Sequence, residues 1–312
     1  QAHHGDHEGV ADGDPEEALL RREGLTPRQA LRLDDAARTA IPPRLLAHAA
    51  RLDLRALPHG APGYPAQLLP YDDAPALLFV RGGAVDLRHP VAVVGSRRPT
   101  PYGLAQAARF AHAFAAAGCP VVSGGAAGID AAAHAAALDA GGNTVAVVAC
   151  GLDIGYPAEN RPLFERILAE GGALVSEFPV GTAPEPWRFP TRNRIIAGMA
   201  RATVVVEAPE QSGALITARN AAEYGREVFV VPGPVDNGRS RGGHRLIQDG
   251  AALADAPEDV LADLARQLAL NLDAPLALNH DAPLPGKEAF APTPRALPAL
   301  SAAERALRAR RD

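Results

Sequence analysis

Lysine is almost missing from this chain: Lys287 is the only one among 31 basic residues. Arginine carries nearly all the positive charge, so its abundance says little; only its clustering points to an anion. Cysteine is equally scarce. Cys119 and Cys150 have no metal-ligand spacing, and both sit beside strand-like runs. They read as buried thiols and fit a reducing cytoplasm. No apolar run reaches the length of a membrane span, and no signal-peptide pattern follows Gln1. No GxGxxG follows the first Val-rich run, so no dinucleotide cofactor is expected. The net charge of −5 argues against indiscriminate nucleic-acid binding but leaves local patches open.

What is present is enough for one large or two modest domains: 312 residues, 47% of them hydrophobic. Residues 1–14 (QAHHGDHEGVADGD) read as a disordered tail. Its His3, His4, Asp6 and His7 read as a solvated terminus, not a metal site. Residues 15–57 read as a small helical module, with Thr26 and Pro27 as an N-cap and first-turn proline and Pro42 and Pro43 opening a second helix. From 58 to 265, after the strand-like ALLFV, six short Val-rich runs begin at 91, 120, 144, 173, 202 and 227 and alternate with helix-like segments. That pattern predicts an α/β fold: a Rossmann-like, doubly wound, mostly parallel sheet. Residues 266–298 read as a proline-rich linker. Residues 299–312 read as the start of a helix.

In such a sheet, ligands bind beyond the carboxyl ends of the strands. Arginines and glycines collect in the segments that follow them: Gly95-Ser96-Arg97-Arg98, Ser123-Gly124-Gly125-Ala126-Ala127-Gly128, Gln211-Ser212-Gly213, and Asn237-Gly238-Arg239-Ser240. Arg188, Arg192 and Arg194 fall between a strand and the next apolar helical run, which places them on the rim of the crevice. The competing reading pairs them with Glu177 and Glu207 inside the protein. Trp187 and Phe189 either pack there or stack on a base. The turn SGGAAGID opens a helix, so its amides and the helix field suit an anion. QSGALITA opens another at the same edge, with hydroxyls on Ser212 and Thr217.

Several sites fall away. Gly233 to Ser240 resembles a P-loop, but arginine replaces the lysine and Pro234 removes a donor. Ser123, Asp130 and His134 make a nominal triad, yet His134 lies in an Ala-rich helix and reads as a core histidine. Asp130, Glu177 and Glu207 are candidate acids with nothing to pair any two for acid–base work.

The motifs GSRRPTPYG, SGGAAGIDAAAHAAAL, YPAEN, SEFP, FPTRNRIIAG, VVVEAPEQSGALITARNAAEYGREVFVVPG and GGHRLIQDGA occur in order between about 60 and 255. GYPAQL and APALLFVRG fit as well. In these the chain resembles the DNA processing protein A (DprA, or Smf) family. The resemblance implies a non-enzymatic, homodimeric, cytoplasmic protein without cofactor or metal. Such a protein binds single-stranded DNA without base specificity, protects incoming strands and loads the RecA recombinase during natural transformation. It also implies that residues 15–57 are sterile-alpha-motif-like. Carried onto matching positions, the DNA pocket comprises Arg97, the turn Gly124, Gly125 and Gly128, the run Arg192, Asn193 and Arg194, and Ser212, Gly213 and Thr217. Ala127 and His244 depart from the residues common in the family, and of the C-terminal winged helix that many members carry, residues 299–312 would supply only the first helix, the rest being absent or cut off. The alternative is a Rossmann-like nucleoside-monophosphate phosphoribohydrolase. Its PGGxGTxxE signature is absent, Pro232-Gly233-Pro234 lacking the second glycine and the acid.

Overall fold

Strand and helix alternate as the Val-rich runs predict. The computed structural model describes residues 51–85 and 87–271. The tail, most of the helical module, most of the linker and the winged-helix start lie outside the described residues. The strands are β1 (Arg55–Pro58), β2 (Leu77–Gly82), β3 (Val91–Val94), β4 (Val121–Ser123), β5 (Thr144–Val147), β6 (Ala173–Ser176), β7 (Ala202–Val205), β8 (Glu227–Val230) and β9 (Ala252–Leu253). The helices are α1 (Pro101–Ala116), α2 (Ile129–Asp139), α3 (Arg161–Ala169), α4 (Arg188–Met199), α5 (Ala214–Glu223), α6 (Arg241–Gln248) and α7 (Pro257–Asn271).

All nine strands form one sheet in the order β1-β2-β6-β5-β4-β3-β7-β8-β9. Seven run parallel; at one edge β2 pairs antiparallel with β6, and β1 pairs antiparallel with β2 and so runs in the direction of the seven. Every residue of β3, β5, β6 and β7 is buried. That is why these strands read as continuous apolar runs: helices cover both faces of the sheet. Phe110 and Phe114 of α1 are fully buried and meet edge-on at 5.9 Å, each contributing about 1.5–3 kcal/mol.

One feature of this order positions the site. From β3 the chain steps through β4, β5 and β6 on one side, then returns to β7 on the other side of β3. The loops leaving β3 and β7 diverge at this switch point and open a crevice at the carboxyl edge.

Three differences from the sequence reading concern boundaries. β1 begins inside the range read as helical; a four-residue edge strand that ends in proline carries no alternation to see. Residues 266–271 belong to α7, not to a linker. Most consequential, Arg192 and Arg194 lie within α4, not in a loop ahead of it. Pro190 in the first turn of α4 removes an N–H that no helical carbonyl needs, so the helix starts at Arg188 despite it. Residues 258–271 fall in a separate compact unit. There Asp263 accepts from Arg266 at 2.5 Å and from Gln267 at 2.8 Å.

Candidate nucleic-acid interface

The loop after β3 is tied down at its start. The Ser96 amide donates to the Glu207 carbonyl at 2.7 Å, the Ser96 carbonyl accepts from the Ile129 amide at 3.1 Å, and the Arg98 amide donates to Ser96 Oγ at 3.1 Å. With the backbone turned inward, Arg97 and Arg98 are left exposed. The Arg97 guanidinium lies over the Phe189 ring, 4.6 Å from its centroid. Exposed Arg239 reaches across from the loop after β8 and donates to the Arg98 carbonyl at 2.7 Å. Between these groups is a cleft of about 470 Å³, lined among others by Arg97, Arg98, Arg192, Asn193, Ser212 and Arg239. A smaller hollow of about 90 Å³ shares Arg97 and Phe189 with it and adds Tyr156 and Pro157.

The glycine turn lies beneath, meeting the cleft through Ala126 and the smaller hollow through Gly124 and Ala126. Gly128 has φ of 85°, and a Cβ there would lie 2.4 Å from the Ser96 carbonyl oxygen, so a side chain would push the β3 loop off α2. A Cβ on Gly124 would meet Asp130 Oδ2 at 2.6 Å and Arg192 Nη2 at 2.8 Å. The amides of Gly124 and Ala126, which the sequence offers to an external anion, already donate to Asp130 Oδ2 at 3.1 and 3.3 Å. Burial pushes the Asp130 carboxyl up, against the pull of Arg192. Asn160 of YPAEN steadies the same turn, its Nδ2 donating to the Gly125 carbonyl at 2.9 Å.

Arg192 lines the cleft but is 4% exposed. It donates to the carbonyls of Gly124 (2.6 Å) and Val147 and, through Nε, to Asn193 Oδ1 at 3.2 Å. Burial holds it down to about 10, so it stays cationic at neutral pH, with Asp130 in support. Asn193 in turn donates to the Gly213 carbonyl at 3.1 Å and so joins α4 to the start of α5. There Ser212 and exposed Gly213 face the cleft beside buried Thr217.

Arg194 is placed elsewhere. It is buried, donates to Glu177 Oε1 at 2.5 Å and approaches Asp73 at 3.8 Å, and it is not among the residues lining either hollow. The internal pairing weighed from sequence is thus realised for Arg194 with Glu177. Glu207 serves a helix instead: it accepts from the Thr100 amide at 3.1 Å and hydroxyl at 2.5 Å, while Thr100 caps α1 through the Gly103 amide. Ser123 donates to the Val93 carbonyl at 2.6 Å and His134 is fully buried against Thr144. The nominal triad and the three candidate acids therefore all have structural partners. In the loop after β8 a Cβ on Gly233 would strike Ser240 Oγ, and His244 Nε2 donates to the Gly233 carbonyl at 3.0 Å. That loop closes on itself instead of forming a phosphate cradle. Among the described residues no group of three His, Cys, Asp or Glu is placed to hold a metal.

Sequence reasoning left Arg98 and Arg239 out of the candidate set. Their signal was present, since both stand in loops that follow strands next to the switch point; what was lacking was the β8 loop folding back over the β3 loop.

The fold and cleft define a Rossmann-like α/β protein whose rim suits an extended polyanion. Residues 55–265 match the family described as DNA recombination-mediator protein A, and the chain belongs to that family. It is 43% identical over 244 residues to Protein Smf of Escherichia coli, covering 78% of this chain and 65% of that one. It is 45% identical over 200 residues to DNA processing protein DprA of Streptococcus pneumoniae, covering 64% and 70%. The chain spans about half the length of Protein Smf from Synechocystis, 52%. The Streptococcus pneumoniae DNA processing protein A structure superposes with a TM-score of 0.65 at 36% identity, over 79% of this chain and 85% of that one. The Helicobacter pylori protein, whose structure concerns its single-stranded DNA binding mode, gives 0.60 at 28% identity, over 69% and 96%.

Proposed function

We propose that the protein captures single-stranded DNA in this cleft through successive phosphates, leaves the bases unread, and does no chemistry on the strand. The observation that carries the reading is the rim itself. Arg97, Arg98 and Arg239 stand exposed around a groove in which Asp130, the one lining carboxylate, is turned into its own turn. Arg97 makes the first contact and Arg192, with the glycine turn, sets the positive floor. Asn193, Ser212, Gly213 and Thr217 supply neutral donors on the far wall. Gly124, Gly125 and Gly128 act by letting the backbone come close, and Arg194 by holding α4 to Glu177. The Helicobacter pylori relative supports this choice of ligand.

Family membership extends the reading to a homodimer that protects incoming strands and hands them to the RecA recombinase in the cytoplasm during natural transformation. No helix among the described residues is long and apolar enough to cross a membrane. The reading without catalysis rests on family membership, with Asp130, Glu177 and Glu207 assigned to holding the glycine turn, α4 and the start of α1.

The test is a gel-shift series with oligo-dT, mixed-sequence single strands and duplex across a salt range. Neutralising three or four phosphates gives a log–log slope of about −2 to −3, at about −0.7 per phosphate. A strong preference for one base sequence, or release of free base from nucleoside monophosphates, would overturn the reading.

A further inference from the structure

The opposite edge of the sheet carries a second cationic cluster. Val91, Ala202 and Glu227 are register partners at the amino ends of β3, β7 and β8. The residues just before the β7 and β8 partners are Arg201 and Arg226. Two arginines therefore enter neighbouring parallel strands side by side. The Arg201 amide is fixed to the Pro90 carbonyl at 2.7 Å, which brings His89, at φ 51°, to the same corner. The Arg226 guanidinium lies 5.6 Å over the Tyr71 ring, and Tyr71 stacks on Tyr224 at 3.9 Å. These rings give the pair a rigid wall.

Among the described residues the pair lacks a counter-charge. Both arginines are half-buried, and the Nε of each is buried without a hydrogen-bond partner. Neither makes an ion pair within 4.0 Å among the described residues. The neighbouring carboxylate, Asp73, accepts from the Tyr224 hydroxyl at 2.6 Å and lies 3.8 Å from Arg194. The uncompensated field reaches adjacent groups: burial, then the Arg226 charge, lowers Arg201, and burial, then Arg201 and Arg88, lowers His89. Two guanidinium forks on adjacent strands, neither in an ion pair among the described residues, match the oxygens of a phosphate group.

We infer that Arg201 and Arg226 form a phosphate-binding site at the amino edge of the sheet, separate from the cleft at the carboxyl edge. It takes a phosphodiester of a second stretch of nucleic acid or a free phosphate; the chemistry is shared. The experiment uses the full chain. Melting is followed in sodium phosphate and in sodium chloride at equal ionic strength, for wild type, Arg97→Ala and Arg201→Gln with Arg226→Gln. The expected result is a rise in Tm in phosphate over chloride that is equal in wild type and Arg97→Ala and clearly smaller in the double variant. By titration, phosphate binding should weaken about ten-fold or more in the double variant. Phosphate also stabilises folded proteins by exclusion from their surface, so a rise as large in the double variant as in wild type overturns the site. Should that variant fail to fold, a selenate soak of wild-type crystals decides: an anomalous peak between the two guanidinium groups supports the site, and its absence overturns it. Oligo-dT stoichiometry separates the sources. Loss of a second bound strand in the double variant identifies nucleic acid, whereas unchanged stoichiometry with the phosphate effect lost identifies free phosphate.

Discussion

The Arg97 guanidinium and the Phe189 ring form a cation–π pair at 4.6 Å. It joins the loop after β3 to the first turn of α4 across the mouth of the cleft. The pair gives the two residues separable roles. Replacing Arg97 by Ala removes a phosphate contact, so affinity for all sequences should fall alike and the salt slope should shrink by about 0.7. Replacing Phe189 by Ala leaves the charge but frees it from its platform, which is worth about 0.5–1 kcal/mol. Affinity should then drop two- to five-fold with the slope unchanged. Equal slopes for Arg97→Ala and wild type would remove Arg97 from the contact set.

Arg194 makes the opposite prediction. Its partner is Glu177, and the two side chains are 7% and 15% exposed. Replacing Arg194 by Ala takes this cation from a part-buried carboxylate and should cost about 2–3 kcal/mol of stability. At a temperature where the variant stays folded, oligo-dT affinity should remain within about two-fold of wild type, since the side chain does not line the cleft. Arg194→Met with Glu177→Gln should recover most of the stability. A loss of affinity comparable to that of Arg97→Ala would place Arg194 on the DNA instead.

These contrasts show where the sequence stops being informative. The parallel strands β3 to β8 were legible because they are buried almost throughout on both faces, and the switch point put the right loops together. β1 and β9 were not, being edge strands of four and two residues. Within α4 the difficulty is rotational. Arg192 and Arg194 are two positions apart, about 200° around the helix, so one meets the glycine turn and the other Glu177. Residues 192 to 199 are all buried, leaving no polar stripe from which to read the helix's orientation. The RNR run marked the right helix without telling its charges apart. Asp130 is a related case: its carboxylate takes the amides of Gly124 and Ala126, and a sequence pattern cannot say whether an anion site is filled from within.

Trp187 offers a direct probe of the strand's path. It is the only tryptophan in the chain, is 56% exposed, and precedes α4 two residues before Phe189. Its Nε1 donates to Glu185 at 2.5 Å and the Arg188 guanidinium lies 4.8 Å over its ring. A strand that leaves the cleft past Phe189 meets this ring, so titration with oligo-dT should quench its emission, and Arg97→Ala should need more DNA for the same change. Emission unchanged at saturation would mean that the strand exits by another side.

His134 sets a pH dependence that is independent of DNA. Its Nδ1–H donates to Thr144 Oγ1 at 2.7 Å, because the Thr144 hydroxyl is itself directed at the Val121 carbonyl, 2.8 Å away. Nε2 is buried without a partner, so a second proton would sit in the core unsolvated. Burial, with Arg192 adding to it, pulls the imidazole down to about 3 from an ordinary 6.5. The sign follows from linkage. Between those values the unfolded chain binds a proton that the native state refuses, so stability is complete above 6.5 and declines as the pH falls. The decline from this one group is about 1.4 kcal/mol per pH unit, or about 2 kcal/mol by pH 5. Replacing His134 by Leu keeps an apolar filling, and Thr144 keeps its bond to Val121. The variant's denaturant-derived stability should therefore fall less steeply than wild type below pH 6.5, with the two profiles parallel above it. Profiles that stay parallel down to pH 5 would mean that His134 takes up its proton in the native state.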